Sequence, residues 1–340
     1  MKTIEAYAAV KPGLELEAFT YEVSEELTPD QVEIKVESCG ICHSDLSMLQ
    51  NQWGISVYPL VAGHEVIGRI TAVGEHVRHL QTGQRVGLGW FAGSCMTCRT
   101  CMSGRHHLCA DSEQTIVKRH GGFADYVRCS SEWAIPLPAS LDAASAGPLF
   151  CGGITVFGPI ASYGIRPTDR VGVVGIGGLG HLALQFLNKW GCEVTAFTSS
   201  ESKQAEARSL GAHQAINSRD RAALTAIAGT LDFILVTANV SLDWEAYIGA
   251  LAPQGRLHFV GAVLEPIPVS VFSLLGGQRC LSASPLGSPA TVADMLDFCA
   301  RHEIRPLVES YPMHEVNEAL AHLHTGSPRY RIVLHRDEAG

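Results

Sequence analysis

Hydrophobic and polar positions follow two rhythms along this chain, and the change between them falls near Pro148. Before it, short apolar segments are divided by Gly and Pro. Val32-Glu33-Ile34-Lys35-Val36 alternates strictly, as a half-buried strand does, and Val66 to Gly74 and Gln84 to Gly89 read as further strands of a turn-rich β domain. After it, strand and helix signals take turns. Arg170 to Gly175 is a short apolar strand, followed by Gly177-Gly178-Leu179-Gly180 and a helical pattern to Lys189. Glu193 to Phe197 is a second strand and Ser202 to Leu210 a second helix; Asp232 to Val236 and Arg256 to Gly261 continue the series. That order predicts an α/β fold with a doubly wound parallel sheet. A further helix, Thr291 to Arg301, and a strand, Tyr330 to Leu334, close the chain. The last strand is expected to return to the first domain, giving one domain from 1–150 and 289–340 with a second, 151–288, inserted in it.

With 340 residues, 46% hydrophobic and 17% charged, the chain has the composition of a globular protein of two domains. A net charge of −9 without a basic run excludes a nucleic-acid partner. No apolar stretch reaches the roughly 18 residues that span a bilayer, and the polar start carries no signal core, so a cytoplasmic protein without membrane attachment is expected. Eleven cysteines, an odd number, then point to metal or redox chemistry rather than a disulfide framework.

Cys95, Cys98, Cys101 and Cys109 form C-x2-C-x2-C-x7-C. Four thiolates complete a tetrahedral zinc shell and leave no open position, the pattern of a structural site. An iron–sulfur cluster is the competing reading, weakened by the seven-residue gap and the missing Cys-Pro. Two further segments, Cys39-Gly40-Ile41-Cys42-His43-Ser44-Asp45 and Gly63-His64-Glu65, carry ligand chemistry, and Cys151-Gly152-Gly153-Ile154-Thr155 opens the change of texture.

These motifs, together with Gly175-Ile176-Gly177-Gly178-Leu179-Gly180, stand in the order of the zinc-containing medium-chain alcohol dehydrogenases. Over nearly its whole length the chain resembles that family, most of all the cinnamyl-alcohol dehydrogenase branch and its bacterial broad-range aldehyde reductases. The resemblance implies a GroES-like catalytic domain beside a Rossmann-type domain, and two zinc ions per chain. It implies a catalytic zinc on Cys42, His64 and Cys151 with Glu65 as an exchangeable fourth ligand, and makes Cys39 a buried bystander. Three fixed ligands leave one position for exchange, as catalytic zinc requires. By the same matching Asp45 orients His64, and Ser44 begins a proton relay whose usual terminal histidine is Ser47 here. His43 matches a position facing the cofactor pyrophosphate, against the alternative of a surface histidine. Thr155 matches a residue packing on the nicotinamide. Arg331 matches an arginine that reaches the pyrophosphate, where unaided it reads as a solvated strand-end charge. Trp53 and Trp90 match two aromatic walls of the substrate pocket, although an isolated Trp is more often core.

The glycine run at Gly175, Gly177, Gly178 and Gly180, with Leu179, follows a strand and opens a helix, the context in which it binds a dinucleotide pyrophosphate. NAD enzymes usually place Asp or Glu at the end of the next strand, whereas this chain has Thr198, Ser199 and Ser200, with Lys203 shortly after. Such a set donates to a 2′-phosphate, and the reading favours NADP(H). A helix cap accounts equally for the hydroxyls, and Glu201 stands nearby. The expected activity is hydride transfer between NADP(H) and a small-molecule aldehyde or primary alcohol, in a homo-oligomer as the family implies. The alternatives are an NAD-dependent alcohol or polyol dehydrogenase and a non-catalytic cofactor-binding relative.

Overall fold

A computed structural model describes residues 1–199, 201–326 and 328–336. The chain divides into two compact units: Met1–Ile154 with Gly287–Gly340, and Thr155–Leu286. Strands are numbered β1 to β17 in chain order.

In the first unit β1 (Lys2–Ala8) and β2 (Glu17–Val23) form an antiparallel pair. The main sheet is built on β3 (Gln31–Ile41), β4 (Val66–Val73), β5 (Arg85–Leu88), β8 (Tyr126–Ser130) and β9 (Ile135–Pro136). It is completed by β16 (Val308–Pro312) and β17 (Arg331–His335), in the order β16-β17-β3-β4-β5-β9, with β8 also on β3. A small separate pair joins β6 (Phe91–Gly93) to β7 (Glu113–Gln114). Two consequences matter below. β3 runs five residues beyond the alternating segment, and its far end delivers Cys39 and Gly40 against β17, with Leu334 opposite Cys39 and Val333 opposite Gly40. Arg331, at the start of β17, is thereby built into the sheet at 5% exposure.

The second unit is one six-stranded parallel sheet: β10 (Arg170–Val174), β11 (Glu193–Thr198), β12 (Gln214–Asn217), β13 (Leu231–Val236), β14 (Leu251–Phe259) and β15 (Cys280–Ala283). Its spatial order, β12-β11-β10-β13-β14-β15, reverses direction between β10 and β13, which is the doubly wound arrangement. Parallel strands covered on both faces read as continuous apolar runs, and Val171 to Val174 and Phe233 to Val236 do so. One side packs Phe197 edge-on to Tyr247, at 5.4 Å between centroids, and Trp244 edge-on to Phe259 at 5.0 Å. Each such ring contributes about 2 kcal/mol through apolar burial.

His258 breaks that apolar pattern. It lies on β14 with no exposure, between the hydroxyls of Ser282 (2.8 Å from Nδ1) and Ser284 (2.9 Å from Nε2). Burial, with Arg256 adding repulsion, lowers its pKa from 6.5 to about 4. The folded form therefore holds His258 neutral. Below 6.5 the unfolded chain takes up a proton that the folded chain refuses until about 4, so stability falls as pH drops through this window. A loss of about 3 kcal/mol is expected from the shift. Thermal midpoints measured from pH 7 to 4 should decline more steeply for the unaltered protein than for His258→Leu.

Candidate metal centre and cofactor loop

The first unit gathers its chemistry around the start of the short helix His43–Leu49. The Asp45 carboxylate closes the turn, with Oδ2 accepting from the backbone N–H of Cys42 at 2.9 Å. Its other oxygen accepts from Gly63 N–H at 2.9 Å and faces His64 Nδ1 at 3.0 Å. A carboxylate can only accept, so His64 donates from Nδ1, which leaves Nε2 as the ring nitrogen that a metal can take. That nitrogen faces Cys151 Sγ at 3.3 Å. Cys151 Sγ in turn lies 3.8 Å from Cys42 Sγ.

Cys42, His64, Glu65 and Cys151 thus bring one ligand atom each within 4.8 Å of one another. A tetrahedron with metal–sulfur bonds near 2.3 Å has S···S edges of about 3.8 Å, so the sulfur pair fits a shared metal and is far too long for a disulfide. The bond to Cys151, opposed by burial and helped by Arg331 and His64, holds the Cys42 thiol well below its usual range. The same bond and burial push Cys151 up, so the pair holds one proton with the charge on Cys42. Glu65 has no exposure and forms an ion pair with Arg331 through Oε1. Its Oε2 is buried without a hydrogen-bond partner among the described residues. Burial pushes this carboxyl up to about 7, although Arg331 pulls the other way. An imidazole nitrogen oriented by a carboxylate, an anionic sulfur and an orphaned carboxylate oxygen facing one point are the donor set of a divalent cation of the zinc type. Gly40 belongs to the same construction, because a Cβ there would sit 2.0 Å from Glu65 Oε2.

Ser44 Oγ lies 3.8 Å from Cys42 Sγ. Ser47 donates to Gln52 at 2.9 Å. The Trp90 ring meets His64 edge-on at 5.0 Å and Trp53 at 5.8 Å; both indoles are half-buried. His43 is exposed. Cys39 is buried, its Sγ 3.6 Å from Gly40 O, and it lies outside the metal set.

The other four cysteines form a second set within 4.8 Å. Their Sγ separations include 3.5 Å (Cys109 to Cys95), 3.9 Å (Cys95 to Cys101) and 3.9 Å (Cys98 to Cys109), again the edges of a tetrahedral shell. Backbone N–H groups of Cys98 and Thr97 lower the Cys95 thiol to about 6, favouring the thiolate that a metal needs.

In the second unit Gly175 follows β10 with φ of +91°, a conformation that suits glycine. A Cβ on Gly180 would stand 2.0 Å from Gly175 O, so the helix Gly180–Trp190 can begin this close to the strand only with glycine there. Gly177 by contrast faces open space, and Gly178 and Leu179 complete the turn. No side chain caps that helix start at Leu179, and an uncapped helix N-terminus favours an anion. Thr198 ends β11 and is buried, Ser199 is exposed, and Lys203 Nζ reaches Ile176 O of the glycine loop at 3.4 Å. Ser200 lies outside the described residues. Thr155, 9% exposed, sits in the helix Gly152–Ser162.

Two side-chain roles had no signal in the sequence. The Glu65–Arg331 pair joins positions 266 apart, and the glycine requirement at Gly40 arises only from what packs there.

A β unit with these donor sets and a doubly wound unit with a glycine loop define the zinc-binding dehydrogenase class. A family model for the alcohol dehydrogenase GroES-like domain matches residues 28–139, and one for zinc-binding dehydrogenases matches 178–301. The aldehyde reductase AdhA of Synechocystis sp. is 55% identical over 331 residues, covering 97% of this chain and 98% of the relative. The cinnamyl alcohol dehydrogenase SbCAD4 of Sorghum bicolor superposes with a TM-score of 0.93 at 36% identity, over 98% of each chain. The CAD of Helicobacter pylori, solved with NADP(H), gives 0.89 at 26% identity, again over 98% of each. The chain belongs to the medium-chain zinc alcohol dehydrogenases, a family of aldehyde and alcohol oxidoreductases.

Asp45 offers a direct check on the metal set. It is fully buried and accepts three N–H groups. Asp45→Asn is expected to lower zinc retention against a chromogenic chelator by about 10- to 100-fold, with the structural four-cysteine set unaffected.

Proposed function

We propose that this protein reduces aldehydes to primary alcohols with NADPH, holding one zinc on Cys42, His64, Cys151 and Glu65 and a second on Cys95, Cys98, Cys101 and Cys109. The observation that carries the reading is the buried donor set, with Ser44 Oγ 3.8 Å from Cys42 Sγ and with Trp90 against His64. Zinc bound there supplies a Lewis acid for a carbonyl oxygen.

The remaining work falls to the chain's own groups. Asp45 keeps the His64 proton on Nδ1 and so keeps Nε2 as a donor to metal. Arg331 holds Glu65 by one oxygen, leaving the other to face the set. The Ser44 hydroxyl is placed to pass a proton to the substrate oxygen. Ser47, bonded to Gln52, has no basic nitrogen to end a relay, so the proton leaves through water. Trp53 and Trp90 favour flat apolar aldehydes and exclude water around them.

In the second unit Gly175, Gly177, Gly178, Leu179 and Gly180 cradle the pyrophosphate, and Thr198, Ser199, Ser200 and Lys203 take the 2′-phosphate. Lys203 supports this reading, since its ammonium lies over the glycine loop where no strand-end carboxylate competes. The H. pylori relative was solved with NADP(H), which agrees. Thr155, His43 and Arg331 are further cofactor-facing candidates. We also read the protein as a cytoplasmic homo-oligomer: Leu264, Val271, Phe272 and Leu275 form an exposed apolar run, and no helix among the described residues is long and apolar enough to cross a membrane.

Initial rates of NADPH and NADH oxidation with cinnamaldehyde test the reading. A strong NADPH preference is expected, and equal or faster turnover with NADH would overturn the cofactor assignment. Lys203→Ala should raise KM for NADPH by roughly 10- to 100-fold, the value of a charge-assisted contact, while leaving KM for NADH within about twofold.

A further inference from the structure

We propose that His258 is a positioning residue which, through Ser284, fixes the carboxyl end of β15 in the half of the sheet that takes the nicotinamide nucleotide. The inference rests on the reading above that the second unit binds a nicotinamide dinucleotide.

Interior positions of a parallel sheet are normally apolar, because a buried polar group is costly unless bonded. His258 stands opposite Leu235 of β13 on one side and Ser282 of β15 on the other, with no exposure. Both its ring nitrogens are used, one on Ser282 within β15 and one on Ser284 just beyond the strand's end. Neutral imidazole has one donor and one acceptor, so one serine accepts from it and the other donates to it. This orders both hydroxyls. The ring is held in turn by Phe233, stacked at 5.9 Å, and by Tyr163 at 4.9 Å. Arg256 lies over the Tyr163 ring at 4.6 Å, and burial, with repulsion from Arg256 adding to it, keeps the imidazole neutral. The result is a rigid polar clamp across the last two strands.

Its location gives it a consequence. Doubly wound sheets bind dinucleotides outside the carboxyl ends of their strands, one mononucleotide to each half. The half made of β10, β11 and β12 carries the glycine loop and the hydroxyl-rich tip at Thr198, which suit the pyrophosphate and the adenosine ribose. The other half, β13, β14 and β15, is left for the nicotinamide nucleotide. Ser284 follows the carboxyl end of its outermost strand, and its own N–H donates to Phe259 O at 3.4 Å, at the matching end of β14. A valine or leucine at 258 would pack but would leave Ser284 free to turn.

The test separates the two halves of the cofactor. Dissociation constants of NADPH and of 2′,5′-ADP are measured by fluorescence and calorimetry for the unaltered protein, His258→Leu, His258→Asn and Ser284→Ala. Ser284→Ala leaves the core intact and guards against misfolding in the first variant. The expected result is NADPH binding weakened about fivefold to tenfold in His258→Leu and Ser284→Ala, with 2′,5′-ADP unchanged and partial recovery in His258→Asn. Unchanged NADPH binding in both variants, or equal weakening of both ligands, would overturn the clamp. If the unaltered protein instead prefers NADH, the NADP(H) reading falls, and the same split measured with NADH and 5′-AMP decides the clamp separately.

Discussion

If Cys42, His64, Glu65 and Cys151 hold a zinc as proposed, alanine in place of Cys151 is expected to remove it and to lower kcat/KM for aldehyde reduction by on the order of a thousandfold or more. The magnitude follows from the several kcal/mol that a Lewis acid contributes to a developing oxyanion, each 1.4 kcal/mol being about tenfold. The geometry explains why no neighbour can substitute. Cys151 Sγ touches both Cys42 Sγ at 3.8 Å and His64 Nε2 at 3.3 Å, so its loss opens two edges of the set at once. Cys39 serves as the control. It stands three positions before Cys42 in a spacing that resembles a metal pair, but its thiol is buried on Gly40 O and burial pushes its pKa well up. Cys39→Ala should therefore keep both zinc ions, counted by elemental analysis, and keep kcat/KM within a few-fold. Full zinc in Cys151→Ala, or zinc loss in Cys39→Ala, would contradict the assignment of ligands.

How much of this was legible in the residues depended on distance along the chain. β10, β11 and β13 stand close to their apolar runs, because buried parallel strands have no polar face to blur them, whereas the half-exposed edge strands β12 and β15 carry no such run. β14 is a further exception: the pattern begins at Arg256, yet the strand begins at Leu251, with a register shift against β13. The helix Gly152–Ser162 carried the opposite signal. It contains Gly152, Gly153, Gly158 and Pro159 with β-branched neighbours, and local propensity argues against it. It forms because Gly152 to Ile160 are buried all round, so packing decides where propensity does not. The pair β1 and β2 was missed because its inward positions include Ala6 and Ala8, too small to mark an apolar face.

The same logic sorts the site. Four cysteines within one loop announce themselves by spacing alone. Cys42 and Cys151 are 109 positions apart, and only the order of motifs connected them. Arg331 sets its guanidinium on Glu65, a partner that no local pattern could indicate. His258 carried a signal that went unused, a lone imidazole inside an otherwise apolar strand.

The four-cysteine loop supports the second large prediction, one of stability. Among the described residues it has only the short helices Arg99–Met102 and His106–Leu108, and of its larger apolar side chains Met102 and Leu108 are exposed and Met96 is half-buried. Such a segment buries little apolar surface, and a metal held by the four thiols as proposed would supply its folding energy. Cys98→Ala is chosen because its Sγ both contacts Cys109 Sγ and accepts the N–H of Cys101, starting the only helical turn between the ligands 98 and 101. The expected result is loss of one zinc, a fall in thermal midpoint of roughly 10 °C, and rapid proteolysis confined to the segment around 94–112. The catalytic set should keep its zinc, since none of its ligands comes from this loop. Activity at low temperature would then survive in part, which separates this variant from Cys151→Ala. A stable, protease-resistant Cys98→Ala protein would mean that the loop folds on its own contacts and that its four thiols are not a structural metal site.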